Sequence, residues 1–435
     1  MSNPIKHFLS TEYDQTNPGT PEKNLSSYIP VCLLGVAVFV VYYKFSFNMV
    51  SLESLNDLKE HTYMATQFYL DPKSLWNAWL QTPYFLWFIT VKALTKIPGM
   101  TAEFAAANAC AFYALLCYVV TVFLGHRLSS YYLKAKDHLV ACSFLAFALS
   151  FAWPLYVPFL FPNQYLGQFA LNPFHNATHM SVKWVGMLCV AMAVDLFRTE
   201  YGKEAIFFKS GFFGKAKYIL FSVLLLVSVC FKPTFAFMFL PAGIVFLITE
   251  LIRLKLAGKE GFKTIGKLFG KLLLACLPAV AYIILEYVAF YLWGDNNGDS
   301  RVALAAPFTA WGLFSNNIFL SVVVAMAFPL WMVISDPKYF LQSLEGKLAL
   351  ICYIVGFAEF TFFVETDYRL SHLNFAWEYM AGMLVFYVFA GAWLLVRTFK
   401  GEGKFSKIRV LIGWGLLFAH MFAGFNCVNP AAYIL

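Results

Sequence analysis

The sequence predicts an all-α polytopic membrane protein, from its composition, the length of its apolar runs and the placement of its basic residues. Of its 435 residues, 60% are hydrophobic and 13% are charged, whereas a soluble protein has about 25% charged residues. A helix needs about 20 mostly apolar residues to cross a bilayer, and runs such as 139–157 and 272–293 reach that length. We therefore expect about eleven transmembrane helices. Their predicted bounds are 27–44, 102–124, 138–157, 179–197, 218–231, 234–252, 268–293, 318–335, 347–364, 374–397 and 410–427.

The segments outside these spans have their own signatures. Residues 1–24 are polar and lack an apolar core, so they predict a flexible cytoplasmic tail and not a signal peptide. Residues 25–435 are expected to form one transmembrane domain. The nine cysteines lie in or beside apolar segments without a CxxC pair, which predicts neither disulfides nor zinc. The net charge of +8 follows from the loops, so no nucleic-acid partner is expected.

The basic residues set the topology, because lysine and arginine concentrate in cytoplasmic loops. Eleven spans with a cytoplasmic N-terminus place most of the 32 lysines and arginines inside and the C-terminus outside. Segment 83–98 is apolar but short, and Lys92 interrupts it. If it crossed, the charge bias would fail, so we expect an amphipathic or re-entrant helix in the outer interface. It would belong to a long first outer loop, residues 45–101.

Within that loop, the stretch DLKEH gathers groups suited to proton transfer. Asp57 and His61 are four residues apart and share a helical face, and Glu60 lies three residues after Asp57. A carboxylate beside a histidine suits a general base. The alternative interpretation is a hydrated loop helix with an ordinary side-chain pair.

A second polar group interrupts the apolar run 218–252 at Lys232-Pro233. The first arm, 218–231, has 14 residues and rises only about 21 Å, less than the roughly 30 Å of a hydrocarbon core. Lys232 should therefore lie recessed below the outer surface, where a cation needs a partner such as a lipid phosphate. A lysine that snorkels at a turn is the alternative.

The stretch LNPFHNATHMSVKW, residues 171–184, is unusually polar. His175 and His179 have the spacing of helical metal ligands, but no cysteine accompanies them. Two hydrogen-bonding histidines in an outer polar cavity, together with Asn176 and Lys183, are the favoured interpretation. A transition-metal site and simple loop capping are the alternatives.

A fourth polar group precedes the span at 374–397. Arg369 and His372 are three residues apart, with Asn374 next to them, and arginine is well suited to holding a phosphate with two hydrogen bonds. Glu365 and Asp367 could instead neutralise Arg369. The chain also lacks a GxxxxGK[ST] nucleotide loop.

These motifs, DLKEH, NPFHNATH, FKP and RLSHLNFAWEY, resemble the GT-C superfamily of integral membrane glycosyltransferases. The resemblance implies a long first outer loop with amphipathic helices and the transfer of a sugar from a polyprenyl phosphate. It implies that Asp57 deprotonates the acceptor, with Glu60 as a substitute and His61 beside them. The implied substrate-binding residues are His175, Asn176, His179, Lys183, Lys232, Arg369, His372 and Asn374.

The resemblance therefore implies that 25–435 is a catalytic domain in the inner (plasma) membrane of a bacterial cell. Its partners would be a polyprenyl-phosphate-linked sugar, an envelope glycan or glycolipid acceptor on the extracytoplasmic face, and membrane lipid. Some members use a divalent metal, and the resemblance leaves that open. The alternative functions are a membrane transporter, a flippase for lipid-linked oligosaccharides, and a glycan polymerase or ligase.

Overall fold

A computed structural model describes residues 25–52, 56–67, 79, 84–133, 138–157, 167–208, 216–258, 261–289, 301–400 and 403–427. The predicted tail, 1–24, lies outside these ranges, as do parts of the predicted first loop. Fourteen α-helices and two short strands are found in the described chain. The helices are α1 (Tyr28–Ser51), α2 (Asp57–Gln67), α3 (Leu86–Leu94), α4 (Ala102–Tyr132), α5 (Leu139–Ser150), α6 (Ala177–Glu200), α7 (Lys217–Phe231), α8 (Thr234–Leu256), α9 (Gly261–Val288), α10 (Ile318–Ser335), α11 (Pro337–Gln342), α12 (Leu344–Phe362), α13 (Ala376–Lys400) and α14 (Lys404–Cys427).

The helices confirm the predicted fold class, a polytopic helical membrane protein. Each predicted span overlaps one helix. Eight helices in the described chain are long and apolar enough to cross a membrane, namely α1, α4, α6, α8, α9, α10, α13 and α14. Helices α5 and α7 are apolar but shorter, and α12 carries Glu345, Lys347 and Glu359 within its 19 residues. The total of eleven crossings stays a prediction.

Helices α13 and α6 form the centre of the bundle. The most apolar stretch of α13 is 100% buried and that of α6 is 89% buried, against 28% for α1 and 17% for α9. Helix α13 packs against α12, α4 and α8. The outer helices therefore present most of their apolar surface to the surroundings, as membrane-spanning helices do.

Helices α12 and α13 approach each other closely enough for their backbones to touch. A Cβ atom on Gly356 would lie 2.5 Å from the carbonyl oxygen of Glu378, and one on Gly382 would lie 2.7 Å from that of Cys352. Only glycine fits at such distances, which is the way small residues allow close helix packing in membranes.

The span predicted at 138–157 is too long, because α5 ends at Ser150. Pro154 disfavours a helical conformation at the residue before it. Asn172 donates its side-chain amide to the carbonyl oxygens of Leu149 and Ala152, at 2.8 and 2.9 Å, and so satisfies two carbonyls at the broken end.

The start of the first loop is also predicted too early, because α1 continues to Ser51. Phe45 and Met49 are buried on this extra part of α1, which packs against α4, so apolar burial extends the helix past residue 44. Within the predicted segment 83–98, Leu86–Leu94 form α3, whose nine residues rise only about 14 Å, too short to cross a bilayer. Helix α3 packs against α2 and α4.

The sequence did not predict the two-stranded antiparallel sheet. Strand β1 (Val302–Leu304) pairs with β2 (Phe363–Glu365), with Ala303 opposite Val364. Strands of three residues are too short for a recognisable alternation of apolar and polar positions. The sheet lies at the same end of the bundle as the N-terminus of α13, since β2 follows α12 and precedes that helix.

Candidate active site

Four helix ends meet at one end of the bundle and bring polar side chains together. Asp57 is the first residue of α2, and Asn176 is the N-cap of α6. Lys232 follows the last residue of α7, where its extended backbone (φ −169°, ψ 124°) separates α7 from α8. Trp377 lies in the first turn of α13. The Lys232-Pro233 break seen in the sequence therefore positions the lysine at the junction of these helices.

Asn176 is the central residue of this cluster. Its Oδ1 atom accepts hydrogen bonds from the backbone N–H of His179 at 3.0 Å and from the Thr178 hydroxyl at 3.1 Å. The same oxygen accepts a hydrogen bond from Lys232 Nζ at 3.1 Å. On the opposite side of the amide, Nδ2 donates to Asp57 Oδ2 at 3.1 Å. A carboxylate and an ammonium group are thus linked through one side chain.

The Lys232 side chain is buried and lies between Asn176 and an aromatic ring. Its Nζ atom is 4.1 Å from the centre of the Trp377 ring, a cation–π contact. Burial lowers the pKa of Lys232 to about 8, against the opposing effect of the negative charges of Asp57 and Glu378. Lys232 is therefore still largely charged at neutral pH, although it forms no direct ion pair within the described chain.

Asp57 occupies the open side of the cluster. Its side chain is 46% exposed, and Oδ2 lies 3.9 Å from Nε2 of His175. Partial burial raises the pKa of Asp57, but His175, His61, the Asn176 hydrogen bond and the Lys232 charge together outweigh it and lower the pKa below its usual value. Asp57 is therefore a carboxylate at neutral pH.

Three histidines surround this pair. His61 packs against Trp87 and Phe88, with ring centres 6.1 and 5.5 Å away, and burial lowers its pKa to about 4. Burial also lowers the pKa of His175. Both imidazoles are therefore neutral at pH 7, so each has one donor and one acceptor nitrogen.

His179 is the most buried of the three. It is 0% exposed, and its ring centre lies 5.3 Å from that of Trp377. Neither of its ring nitrogens has a hydrogen-bond partner in the described chain. A buried polar group in this situation is costly unless something bonds to it, so His179 is suited to contact a bound molecule.

The sequence did not single out two residues of this region, Trp377 and Tyr84. Burial raises the pKa of Tyr84 to about 12; the charges of Glu286 and Asp57 add to this effect, and that of Arg369 opposes it. Tyr84 therefore remains a hydroxyl donor and lies within electrostatic reach of both Asp57 and Arg369. The sequence feature that could have identified Trp377 is its position beside Glu378, where the polar stretch that ends at Asn374 leads into α13.

The fourth predicted group, with Arg369, His372 and Asn374, forms its own cluster around Glu365. Arg369 Nη1 lies 3.6 Å from Glu365 Oε1, and the amide of Asn374 donates to the other oxygen of that carboxylate. His372 is exposed on a 3₁₀ turn, Asp367–His372. Arg369 is thus held by an acid, as the alternative interpretation of this stretch expected. Glu60 is exposed on α2.

Lys183 lies apart from the Asn176 cluster, deeper along α6. Its buried Nζ atom donates to Oδ1 of Asn172 at 2.9 Å, and Asn172 in turn bonds to the carbonyls at the end of α5. The adjoining cavity of about 20 Å³ is lined by Tyr42, Thr121 and Ser150, which is room for about one water. The geometry makes Lys183 a support for the broken end of α5, because a cation is favourable near a helix C-terminus.

The described residues do not provide a metal site. They contain no group of three histidine, cysteine, aspartate or glutamate side chains close enough to hold an ion. Asp57 and His175 supply only two such groups, at a separation of 3.9 Å.

Comparison with known proteins gives fold-level similarity alone. No protein-family model matches the sequence, and no curated protein matches it. One similar solved structure is the archaeal oligosaccharyltransferase AglB from Archaeoglobus fulgidus, in complex with an inhibitory peptide and a dolichol-phosphate (13% identity, TM-score 0.47). Another is the apo form of the Archaeoglobus fulgidus oligosaccharyltransferase (12% identity, TM-score 0.45). Each match covers 92% of this chain and 56% of the other, so this chain spans about half the length of those proteins.

Proposed function

We propose that the protein is a GT-C-type glycosyltransferase that transfers a sugar from a polyprenyl-phosphate donor to an envelope glycan or glycolipid. The observation that carries this proposal is the joining of Asp57 and Lys232 through Asn176. A glycosyl transfer needs a base for the acceptor hydroxyl and a positive group for the leaving phosphate, and this cluster holds one of each.

The proposed chemistry follows from the two charges. The acceptor oxygen attacks the anomeric carbon, its proton passes to the Asp57 carboxylate, and the bond from that carbon to the phosphate oxygen breaks. The Lys232 ammonium stabilises the negative charge that develops on the departing polyprenyl phosphate. Arg369, beyond Tyr84, is the second cation of this proposal, and His175 and His179 are suited to bind sugar hydroxyls or phosphate oxygens.

The different exposures of Asp57 and Lys232 indicate from which side each substrate would approach the proposed site. The Asp57 side chain is 46% exposed, whereas Lys232 is 8% exposed. A water-soluble acceptor would therefore approach from the Asp57 side. The leaving phosphate, attached to a lipid, would lie on the Lys232 side, toward the apolar part of the bundle.

The position of the cluster favours an enzyme over a transporter. Asp57, Asn176, Lys232 and Trp377 all lie at helix ends. A transporter site is expected near the bilayer midplane, between discontinuous helices.

We propose that this end of the bundle faces away from the cytoplasm, with the N-terminus inside and residues 25–435 forming the catalytic domain. The support is the distribution of basic residues, since the opposite end carries Lys203, Arg253, Lys255, Lys263 and Lys267. A lipid-linked donor is available on the outer face, and it needs no nucleotide-binding loop.

The test is transfer by purified protein in lipid nanodiscs, supplied with polyprenyl-phosphate hexoses and envelope glycan. Wild type should transfer a sugar, and Asp57→Asn should not. Glu60→Gln tests the substitute base, because Glu60 is an exposed acid on the same helix, and it should transfer at the wild-type rate if Asp57 is the base. Equal transfer by wild type and Asp57→Asn would remove Asp57 from the proposed role. Absence of transfer with every donor, together with solute uptake into vesicles, would favour a transporter.

A further inference from the structure

We infer that the Asn176 side chain is a spacer that prevents a direct ion pair between Asp57 and Lys232, so that both charges remain available to substrates. The catalytic consequence rests on the proposed function. The electrostatic arrangement does not, and it can be measured in the absence of any substrate.

The first step is the placement of the amide between the two charges. Asn176 Nδ2 donates to Asp57, and Oδ1 accepts from Lys232, each at 3.1 Å. The ammonium and the carboxylate are thus bound to opposite ends of one neutral group. They influence each other's pKa, yet the described chain contains no ion pair between them.

The second step is the orientation of the amide, which the helix fixes. Asn176 is the N-cap of α6, so its oxygen must face the backbone N–H of His179 at 3.0 Å. The Thr178 hydroxyl bonds to the same oxygen. The NH₂ group is therefore forced to the other side, toward Asp57. Helix capping and charge separation are two functions of one side chain.

The third step is the choice of residue. An amide offers an acceptor to the ammonium and a donor to the carboxylate at the same time, on two separate atoms of one neutral group. An aspartate would cap the helix equally well but would place a second negative charge beside Asp57. A serine would also cap the helix but is too short to fill the gap between the two charges.

The fourth step is the consequence of direct contact. Opposite charges attract strongly at short range where water is largely excluded, and Lys232 is only 8% exposed. A direct pair would occupy the carboxylate that must accept a proton. It would also occupy the ammonium that must stabilise the leaving group. The Asn176 amide avoids both effects and still holds the carboxylate and the ammonium in place.

The titration of Asp57 tests this arrangement, and the groups around it come from several elements. His61 lies on the same helix, His175 precedes α6, Lys232 lies between α7 and α8, and Tyr84 precedes α3. These groups stay unchanged in the variants below, so a change in the Asp57 titration reports on residue 176.

The experiment compares Asn176→Ser and Asn176→Asp with wild type, because both variants keep an N-cap residue. The Asp57 titration midpoint is measured by infrared difference spectroscopy, with the corresponding Asp57→Asn protein as the reference for each. In Asn176→Ser the lysine moves onto Asp57, so the midpoint should fall by about 1 pH unit or more. In Asn176→Asp like charges meet, so the midpoint should rise by a similar amount. Thermal unfolding should show both variants folded.

Midpoints that stay at the wild-type value in both variants would overturn the inference. A second measurement leaves Asn176 in place: Lys232→Met should raise the Asp57 midpoint by less than about 1 pH unit, whereas loss of a directly paired charge gives about 1–3 units. A rise of that larger size would also overturn it.

The two proposals fail separately. Shifted midpoints in a protein that uses no sugar donor would keep the spacer and exclude the glycosyltransferase. Sugar transfer that persists at the wild-type rate in Asn176→Ser, with an unchanged Asp57 midpoint, would support the glycosyltransferase and exclude the spacer.

Discussion

The two ends of the helical bundle hold a buried lysine in different ways. At the end that carries Asp57, the buried ammonium of Lys232 contacts a neutral amide and an aromatic ring. At the other end, buried acids and bases bind each other directly. Glu250 accepts hydrogen bonds from Arg253 at 2.8 Å and from Lys347 at 2.6 Å, and its side chain is 0% exposed.

The end that carries Glu250, called the paired end below, contains further contacts between acids and bases. Arg198 lies 3.9 Å from Glu345, and Arg397 lies 3.7 Å from Asp336. Tyr132 also donates to Glu345. In each of these contacts an acid lies beside a base, which is what a structural role requires of a buried charge. The difference teaches that burial alone does not identify a functional charge. The group that contacts the charge, either a neutral side chain or an opposite charge, distinguishes the two cases.

The largest effect expected from this comparison is on activity at the Asp57 end. Asp57→Asn keeps the side-chain shape and removes the proposed base, so the transfer rate should fall about 10²- to 10⁴-fold. Thermal stability should change little, since the side chain is 46% exposed. Initial rates in nanodiscs and a melting curve measure the two quantities. A large loss of stability with normal turnover would mean that Asp57 has a structural role and not a catalytic one.

At the paired end, the expected effect is on stability. Glu250→Gln leaves Arg253 and Lys347 buried without their acid, which should cost about 3–5 kcal/mol in the free energy of unfolding. Turnover per folded molecule should stay near wild type. Denaturant unfolding in detergent, followed by rates normalised to folded protein, gives both values. Loss of turnover in fully folded protein would contradict the assignment of this end to structure.

The pH dependence sharpens the comparison, because burial lowers the pKa of Lys232 to about 8. Lys232 loses its charge as the pH rises through that value, so the rate should fall about tenfold per pH unit above it. The acidic limit should lie below the usual range of a carboxyl group, since the pKa of Asp57 is lowered. Lys232→Arg should remove the basic limit, because arginine stays charged. A basic limit that persists in this variant would assign it to another group.

The smallest effect is expected from a paired charge that is exposed. Lys271 binds Glu200 with side-chain exposures of 36% and 17%. Exposed ion pairs contribute about 0–1 kcal/mol, so Lys271→Met should lower the free energy of unfolding by no more than about 1 kcal/mol. Denaturant unfolding beside Glu250→Gln provides the measurement. A loss as large as that of Glu250→Gln would mean that burial does not separate the two pairs.

The positions of the membrane helices could be predicted because long apolar runs carry their own signal. The break at Lys232-Pro233 could also be predicted, because the apolar run before it, residues 218–231, is too short to cross a bilayer. The pairing of Asp57 with His61 on one helix followed from spacing alone. What these predictions share is that each depends on residues near one another in the chain.

The rest depended on contacts between distant parts of the chain. Asn172 bonds to the carbonyl oxygens at the early end of α5, and no pattern near Lys183 indicated that its side chain would bind Asn172. The position of Trp377 over Lys232 likewise depends on how α13 packs against α6. The sequence placed Arg369 beside both an acid and a proposed phosphate site, and only the fold shows that Glu365 holds it.

The glycine contact between α12 and α13 sets the position of the Trp377 ring. The two backbones touch at Gly356 and Gly382, and Trp377 lies beside Glu378, whose carbonyl oxygen is part of that contact. An alanine at either glycine would push the two helices apart and displace the ring that contacts the Lys232 ammonium. Two residues without side chains thus determine the surroundings of a charge that neither of them touches.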